Sequence, residues 1–225
     1  MDDDLSTSWK RADFSQQMPQ ALQRLEEFRA GQRVPVFDSF VQAMRTYVPS
    51  GASLSFLDCA CTAGYYLDVA KASLPHRLDW MGTDIAEAAL RQALSRHPGG
   101  RWAAASLTAL PFAEASFDVV MASGVLEHVP AWEAGLLEVG RVARRFVILH
   151  RLPVSRDGRF RPGTMTMYGV PTTRHAMPFH AVNALLAARG FLLVGSLDTY
   201  GEDARGPAQL RLQEQTAVYR RFALA

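Results

Sequence analysis

Between residues 53 and 150 short apolar runs alternate with amphipathic helical stretches, and that alternation leaves few folds open. Ser53–Cys59 (SLSFLDC), Leu78–Thr83, Arg101–Ala105, Phe117–Ala122 (FDVVMA) and Phe146–His150 (FVILH) read as strands. Gly64–Leu74, Ala86–Arg96 and Ala131–Arg144 read as helices between them. Strands separated by helices of about 10–15 residues predict βαβ units, and hence a parallel sheet covered on both faces. The near-continuous apolar character of the strands fits burial on both sides. The tail adds a helix at Phe179–Arg189, a strand at Phe191–Leu197 and a last strand at Gln215–Phe222. Two strands joined without an intervening helix are expected to run antiparallel.

The first 50 residues carry a different pattern. Met18, Leu22, Leu25 and Phe28 form one stripe at helical spacing, stopped by Gly31, and Phe37, Phe40, Val41, Met44 and Val48 form a second, stopped by Pro49. We therefore divide the chain into a helical cap over 1–50 and an α/β domain over 51–225. The segment 151–178 holds four prolines and three glycines and is expected to be an irregular substrate loop or lid. With 48% hydrophobic and 20% charged residues, a disordered chain is excluded. Two cysteines, Cys59 and Cys61, are too few and too close for a disulfide scaffold. No apolar run approaches the roughly 18 residues a membrane helix needs, and the start (MDDD) does not resemble a signal peptide. A cytoplasmic location is expected.

In an open parallel sheet, ligands bind beyond the carboxyl ends of the strands. The first strand runs into Asp58-Cys59-Ala60-Cys61-Thr62-Ala63-Gly64, a turn of small residues that lets a ligand approach the backbone at the start of a helix. A tight turn without a ligand has the same appearance. The second strand ends at Asp84, 26 residues after Asp58, where a carboxylate can accept hydrogen bonds from a ribose. With Glu87 three residues on, Asp84 also reads as the start of a capping box.

The most specific stretch is Leu110-Pro111-Phe112, then Ser116-Phe117-Asp118-Val119-Val120, then Leu126-Glu127-His128-Val129. Together with the loop and Asp84, it resembles the class I S-adenosylmethionine-dependent methyltransferases over residues 53–150. That family's pattern is D-x-G-x-G-x-G, an acidic residue after strand two, then L-P-F, S-F-D-x-V and L-E-H-V in order. Glu138-Val139-Gly140-Arg141-Val142 matches the end of the following helix. The resemblance implies a Rossmann-like α/β fold: a seven-stranded, mostly parallel sheet with an antiparallel last strand and helices on both faces, here with an N-terminal helical extension. It implies S-adenosyl-L-methionine as cofactor. The departures are Ala60 and Thr62, which replace two of the three glycines; the β-branched Thr62 resists a positive φ.

By the same resemblance, Asp58 anchors the loop and the methionine end of the cofactor, Ala60 and Gly64 give close backbone approach, and Asp84 takes the ribose with Ile85 against adenine. Ser106 and Leu107 bracket adenine, Ser123 faces the methionine part, and Tyr65 or Tyr66 lies near the sulfonium. His150 and His128, at strand exits, are the candidate general bases. Arg151, Tyr168 and His175 are the candidate acceptor contacts. Segment 151–178 carries Arg151, Arg156, Arg159, Arg161 and Arg174 against the single acid Asp157, which suggests an anionic acceptor such as a sugar, glycan precursor or other metabolite methylated at oxygen. No metal site and no nucleic-acid partner are expected, and the chain is read as a monomer or homodimer. The N-terminal Trp9-Lys10, Phe14 and Gln16 are placed to fold over the cofactor. The alternative is a methyltransferase fold that binds a partner without catalysing transfer.

Overall fold

The computed structural model of the chain describes residues 5–14, 17–155, 157–200 and 212–222. Gln16 and Arg156, named above, lie outside the described residues.

A 3₁₀ turn at Ser8–Arg11 precedes two helices, α1 (Gln17–Arg29) and α2 (Pro35–Tyr47). The α/β part follows as β1 (Ser53–Cys59), α3 (Tyr65–Ser73), β2 (Arg77–Asp84), α4 (Glu87–Arg96), β3 (Arg101–Ala104), β4 (Phe117–Ser123), α5 (Trp132–Val142) and β5 (Ala143–Ser155). The tail contains β6 (Thr164–Met167), β7 (Val170–Thr173), α6 (Phe179–Ala187), β8 (Phe191–Asp198) and β9 (Leu212–Arg221). Seven strands form one sheet in the order β3-β2-β1-β4-β5-β9-β8. The first five are parallel, and β9 runs antiparallel to both β5 and β8.

The two-faced burial predicted from the strands follows the pleat. In β1, Leu54 and Phe56 pack with Leu25 of α1, with α2 and with α3, while Leu57 and Cys59 pack with α5 and α6. In β4, Val119 and Met121 take the first side, and Val120 and Ala122 take the second. Alternate residues along a strand point to opposite faces, so a strand covered twice must be apolar throughout.

Several motif residues prove to be staples of this scaffold. Asp118 Oδ2 accepts from the backbone and hydroxyl of Ser55 at 3.0 Å each, joining β4 to β1. Glu138 Oε2 accepts from Leu110 N at 2.9 Å, and Arg141 donates to the carbonyls of Leu110 and Phe112 at 3.0 and 2.7 Å. The L-P-F turn is therefore held by α5.

Two local expectations are corrected. Segment 151–178 is not an irregular loop. β5 continues through it to Ser155, with an irregularity in pairing between Leu149 and Leu152, and β6 and β7 form an antiparallel hairpin. The hairpin turn is Tyr168-Gly169, with φ of +50° and +77°. Both central residues at positive φ suit the twist of a two-residue hairpin, but a tyrosine in that position gives no recognisable turn signal. The capping box does not form either. α4 starts at Glu87 with Ala86 at its N-cap, and Glu87 is turned to Arg91 at 3.7 Å. Asp84 Oδ1 instead accepts from Ala86 N at 2.8 Å, a local turn that leaves its other oxygen for a different partner.

Candidate functional site

A cavity of about 340 Å³ lies at the carboxyl ends of β1 to β5, roofed by the N-terminal segment, α1 and the β6–β7 hairpin. Its floor follows the sheet order: Ser106 and Leu107 after β3, Asp84 and Ile85 at β2, Ala60 to Thr62 at β1, Ser123 to Val125 and His128 at β4, and Arg151 in β5.

The turn after β1 keeps an unusual backbone without the expected glycines. Ala60, Thr62 and Gly64 have φ of +57°, +47° and +74°. A left-handed conformation costs an ordinary L-residue roughly 1–2 kcal/mol. It persists where the surroundings fix it. Here Thr62 N donates to Asp84 Oδ2 at 3.0 Å, and Cys61 N donates to Thr83 O at 2.9 Å. Asp84 thus clamps the first turn to the second with one oxygen and shapes its own turn with the other. Gly64 is needed for a further reason: a Cβ there would stand 2.7 Å from the Trp102 ring. Its bare side faces Trp102, and it does not line the cavity, so the expected approach of Gly64 to the cofactor is corrected. Ala60, Tyr65, Asp84, Ile85, Ser106, Leu107 and Ser123 do line it. Tyr65 places its hydroxyl 3.3 Å from Met18 Sδ, and the Arg96 guanidinium covers its ring at 5.3 Å.

Asp58 is fully buried below the turn rather than in the cavity wall, and neither carboxylate oxygen has a protein partner. Burial, and then the nearby Asp84, push its carboxyl well above the usual range. An unpaired buried carboxylate is costly. Its position under the turn fits a site built for a ligand bearing positive charge, as an S-adenosyl amino acid does. The residues present fit that group.

The two candidate bases are placed very differently. His128 lines the cavity. Its Nδ1 lies 2.8 Å from the carbonyl of Thr173 at the end of β7. A carbonyl can only accept, so Nδ1 carries the proton and Nε2 of the neutral ring carries the lone pair. Nε2 is 3.8 Å from Glu127 Oε1, beyond hydrogen-bond reach. Burial lowers the His128 pKa, in spite of Glu127 and the Thr173 carbonyl. Trp9 meets the imidazole edge-on at 5.0 Å and is fixed by its indole N–H on Thr172 Oγ1 at 2.9 Å. His150 is fully buried and outside the cavity wall, with both nitrogens engaged at 2.8 Å, by Thr216 and by Tyr66. Burial, and then the Arg151 charge, lower its pKa to about 3. It does not reach an acceptor, which corrects the expectation of His150 as a base.

Of the expected acceptor contacts, Arg151 and Tyr168 line the cavity and His175 does not. His175 packs against Phe160 at 5.0 Å. Arg151 is aimed inward by the β5 irregularity, with φ +55°, and its guanidinium fills the space a Cβ on Gly124 would need, 3.1 Å away. The sequence did not single out Arg24 of α1, or Arg174 as a site residue, yet both line the cavity. Nor did it show what neutralises the arginines. Arg174 lies 3.5 Å from Glu127 and 3.3 Å from Glu214, and Arg151 lies 3.8 Å from Glu214. Arg161 pairs with Asp157. Around the cavity Arg24, Arg151 and Arg174 therefore stand against Asp84, Glu127 and Glu214. Glu127 and Glu214 come from outside segment 151–178, and no reading of that segment alone could count them. Among the described residues, no group of three His, Cys, Asp or Glu side chains could hold a metal ion. None of their helices is long and apolar enough to cross a membrane.

Residues 57–149 match the family model described as a methyltransferase domain. The chain is 34% identical over 104 residues to an uncharacterized methyltransferase of Mycobacterium sp. (strain JLS), covering 46% of this chain and 39% of that protein. The chain thus matches about two-fifths of the length of that relative. Among solved structures, an S-adenosylmethionine-dependent methyltransferase from Mesorhizobium loti aligns with TM-score 0.59 at 18% identity, over 82% of this chain and all of that one. The [4+2]-cyclase SpnF aligns with TM-score 0.58 at 14% identity, over 96% and 97%. Such distant likeness speaks for the fold alone, and the cyclase illustrates that the fold does not by itself dictate the reaction. The motif-bearing segment, its sheet order and its family match agree: residues 57–149 match a methyltransferase domain, and the sheet has the fold of the solved S-adenosylmethionine-dependent methyltransferase it aligns with.

Proposed function

We propose that the chain is an S-adenosylmethionine-dependent methyltransferase that modifies an oxygen of a small-molecule acceptor. The observation that carries this reading is the paired turn built by Asp84, which holds Thr62 in the left-handed backbone that Ala60 shares, the family loop without two of the family glycines. Ala60, Thr62, Asp84, Ile85, Ser106, Leu107 and Ser123 would hold the cofactor. When bound, S-adenosylmethionine supplies a methyl group on a sulfonium, activated for in-line displacement.

The chain's own residues then have three tasks. Trp9, Phe14 and Tyr168 close the cavity with packed rings, at centroid separations of 5.5–6.2 Å, and keep water from the reacting groups. The floor at the ends of β4 and β5 orients the acceptor, and much of the rate comes from that orientation. His128 Nε2 takes the proton that an acceptor hydroxyl loses; its tautomer, set by Thr173, suits that role at neutral pH.

The acceptor is the finer part of the proposal. The excess of arginine in segment 151–178 favours a sugar, glycan precursor or other metabolite with an anionic group. The carboxylates of Glu127 and Glu214 reduce that preference, so one anionic group facing Arg24 or Arg151 suits the cavity better than several. The test is calorimetric titration with S-adenosylmethionine and S-adenosylhomocysteine, followed by methyl-transfer assays on hydroxyl acceptors bearing zero, one or two anionic groups. Micromolar cofactor binding that Asp84→Ala abolishes, with transfer best to a singly charged acceptor, is the expected result. A folded chain that binds neither cofactor form would turn the reading to a partner-binding protein of the same fold.

A further inference from the structure

His150 is the buried group that the mechanism leaves unused. It joins three elements that are distant in sequence. Its Nδ1 meets Thr216 Oγ1 on β9 and its Nε2 meets the Tyr66 hydroxyl on α3, both at 2.8 Å, and Thr216 Oγ1 meets Thr199 Oγ1 at 3.0 Å. Phe40 and the perpendicular Tyr66 ring wall the imidazole in, at 6.2 and 5.2 Å. Such a ring stays neutral at working pH. A neutral imidazole has one N–H and one lone pair, so its two bonds must run in the same sense. Either Tyr66 donates into the ring, or the ring donates to Tyr66 and frees the phenolic O–H. Only in the second case, with Nε2 donating to Tyr66 and Nδ1 accepting from Thr216, does Tyr66 keep a proton to give to a ligand, and Tyr66 itself lines the cavity.

What stands around that oxygen indicates its use. Ser123, at the end of β4, and Arg151, in β5, line the same cavity as Tyr66. Tyr66 is the second residue of α3, which starts directly after the Ala60–Gly64 turn. A hydroxyl beside a guanidinium favours a carboxylate. We infer that Tyr66 contacts the amino-acid carboxylate of the bound S-adenosyl group, and that His150 is a positioning residue that aims the Tyr66 hydroxyl at it. This rests on the proposed cofactor reading.

The experiment compares two ligands by calorimetry, S-adenosylhomocysteine, which has the amino-acid end, and 5′-methylthioadenosine, which lacks it. Tyr66→Phe and His150→Phe should each weaken S-adenosylhomocysteine binding about tenfold, the order of one hydrogen bond to a charged group. Neither should change 5′-methylthioadenosine binding by more than about twofold. His150→Gln, whose amide can reach toward Tyr66, should recover part of the loss. The double variant should be no worse than Tyr66→Phe alone, because His150 acts through that hydroxyl. Equal losses for both ligands, or losses that add in the double variant, would overturn the inference in favour of a purely structural histidine. Unchanged binding by His150→Phe, with a binding wild type, would overturn it alone. A wild type that binds neither ligand would overturn the cofactor reading and this inference with it.

Discussion

His128 follows β4 and His150 lies within the neighbouring β5, yet in the sequence each reads as a histidine at a strand exit. In the fold they are opposites. His128 donates a hydrogen bond from Nδ1 to a backbone carbonyl of the hairpin, keeps a lone pair on Nε2, and lines the cavity. His150 spends both nitrogens on side chains from α3 and β9 and sees no cavity. The difference shows that a strand end only offers a residue to the site. Whether that residue can do proton chemistry is decided by the partners that arrive from elsewhere in the chain.

The largest expected effect breaks the comparison outright. His128→Ala should lower kcat by about 10²–10⁴-fold, the range for loss of a general base, with S-adenosylhomocysteine affinity unchanged by calorimetry. A His128→Ala enzyme of normal kcat would falsify the assignment.

The pH profile sharpens it. On the proposed assignment the base form of His128 is the active one, and burial lowers its pKa, so the rate should fall up to tenfold per pH unit along an acid limb whose midpoint lies below the ordinary histidine value of about 6.5. Rate–pH curves of wild type and His128→Gln should differ by that acid limb. Survival of the limb in His128→Gln would move the base elsewhere.

Stability tests His150. Burial, and then the Arg151 charge, take its pKa from the ordinary 6.5 to about 3 in the folded chain. The unfolded chain therefore binds the extra proton first, and stability is lost as pH drops below 6.5, by up to about 1.4 kcal/mol per unit from this group. Denaturant titrations at pH 7, 6 and 5 should show a steeper loss in wild type than in His150→Gln. Equal slopes would mean that the ring is hydrated or charged in the folded protein.

The smallest effect is on tuning. Trp9→Leu removes the ring against His128 and admits water, so the acid limb should move up toward pH 6.5 by a few tenths of a unit. The ring signals of His150, followed by NMR over the same range, should stay those of a neutral imidazole.

The order of elements from β1 to β5 was legible because the pattern is local: doubly buried strands must be apolar throughout, and helices must show a stripe. The L-P-F, S-F-D and E-V-G-R-V motifs were legible too, although their work is to staple the scaffold rather than to touch a ligand. The β6–β7 hairpin was hidden, since Tyr168 at φ +50° carries no turn signature. The roles of Ala60 and Thr62 were hidden for a related reason. Both take a left-handed backbone, and at Thr62 it is held by Asp84, more than 20 residues away.

By itself the sequence determined the alternation of strands and covering helices, the methyltransferase resemblance of residues 53–150 and the strand ends where a site could form. These depend on periodicity and on short motifs, which any segment carries with it. Tertiary structure alone decided the tautomer of His128, the neutrality of His150, the inward aim of Arg151 and the pairing of the arginines with Glu127 and Glu214. Each of these depends on a partner from a distant part of the chain, and hydrogen bonding, burial and charge have no values until that partner is in place.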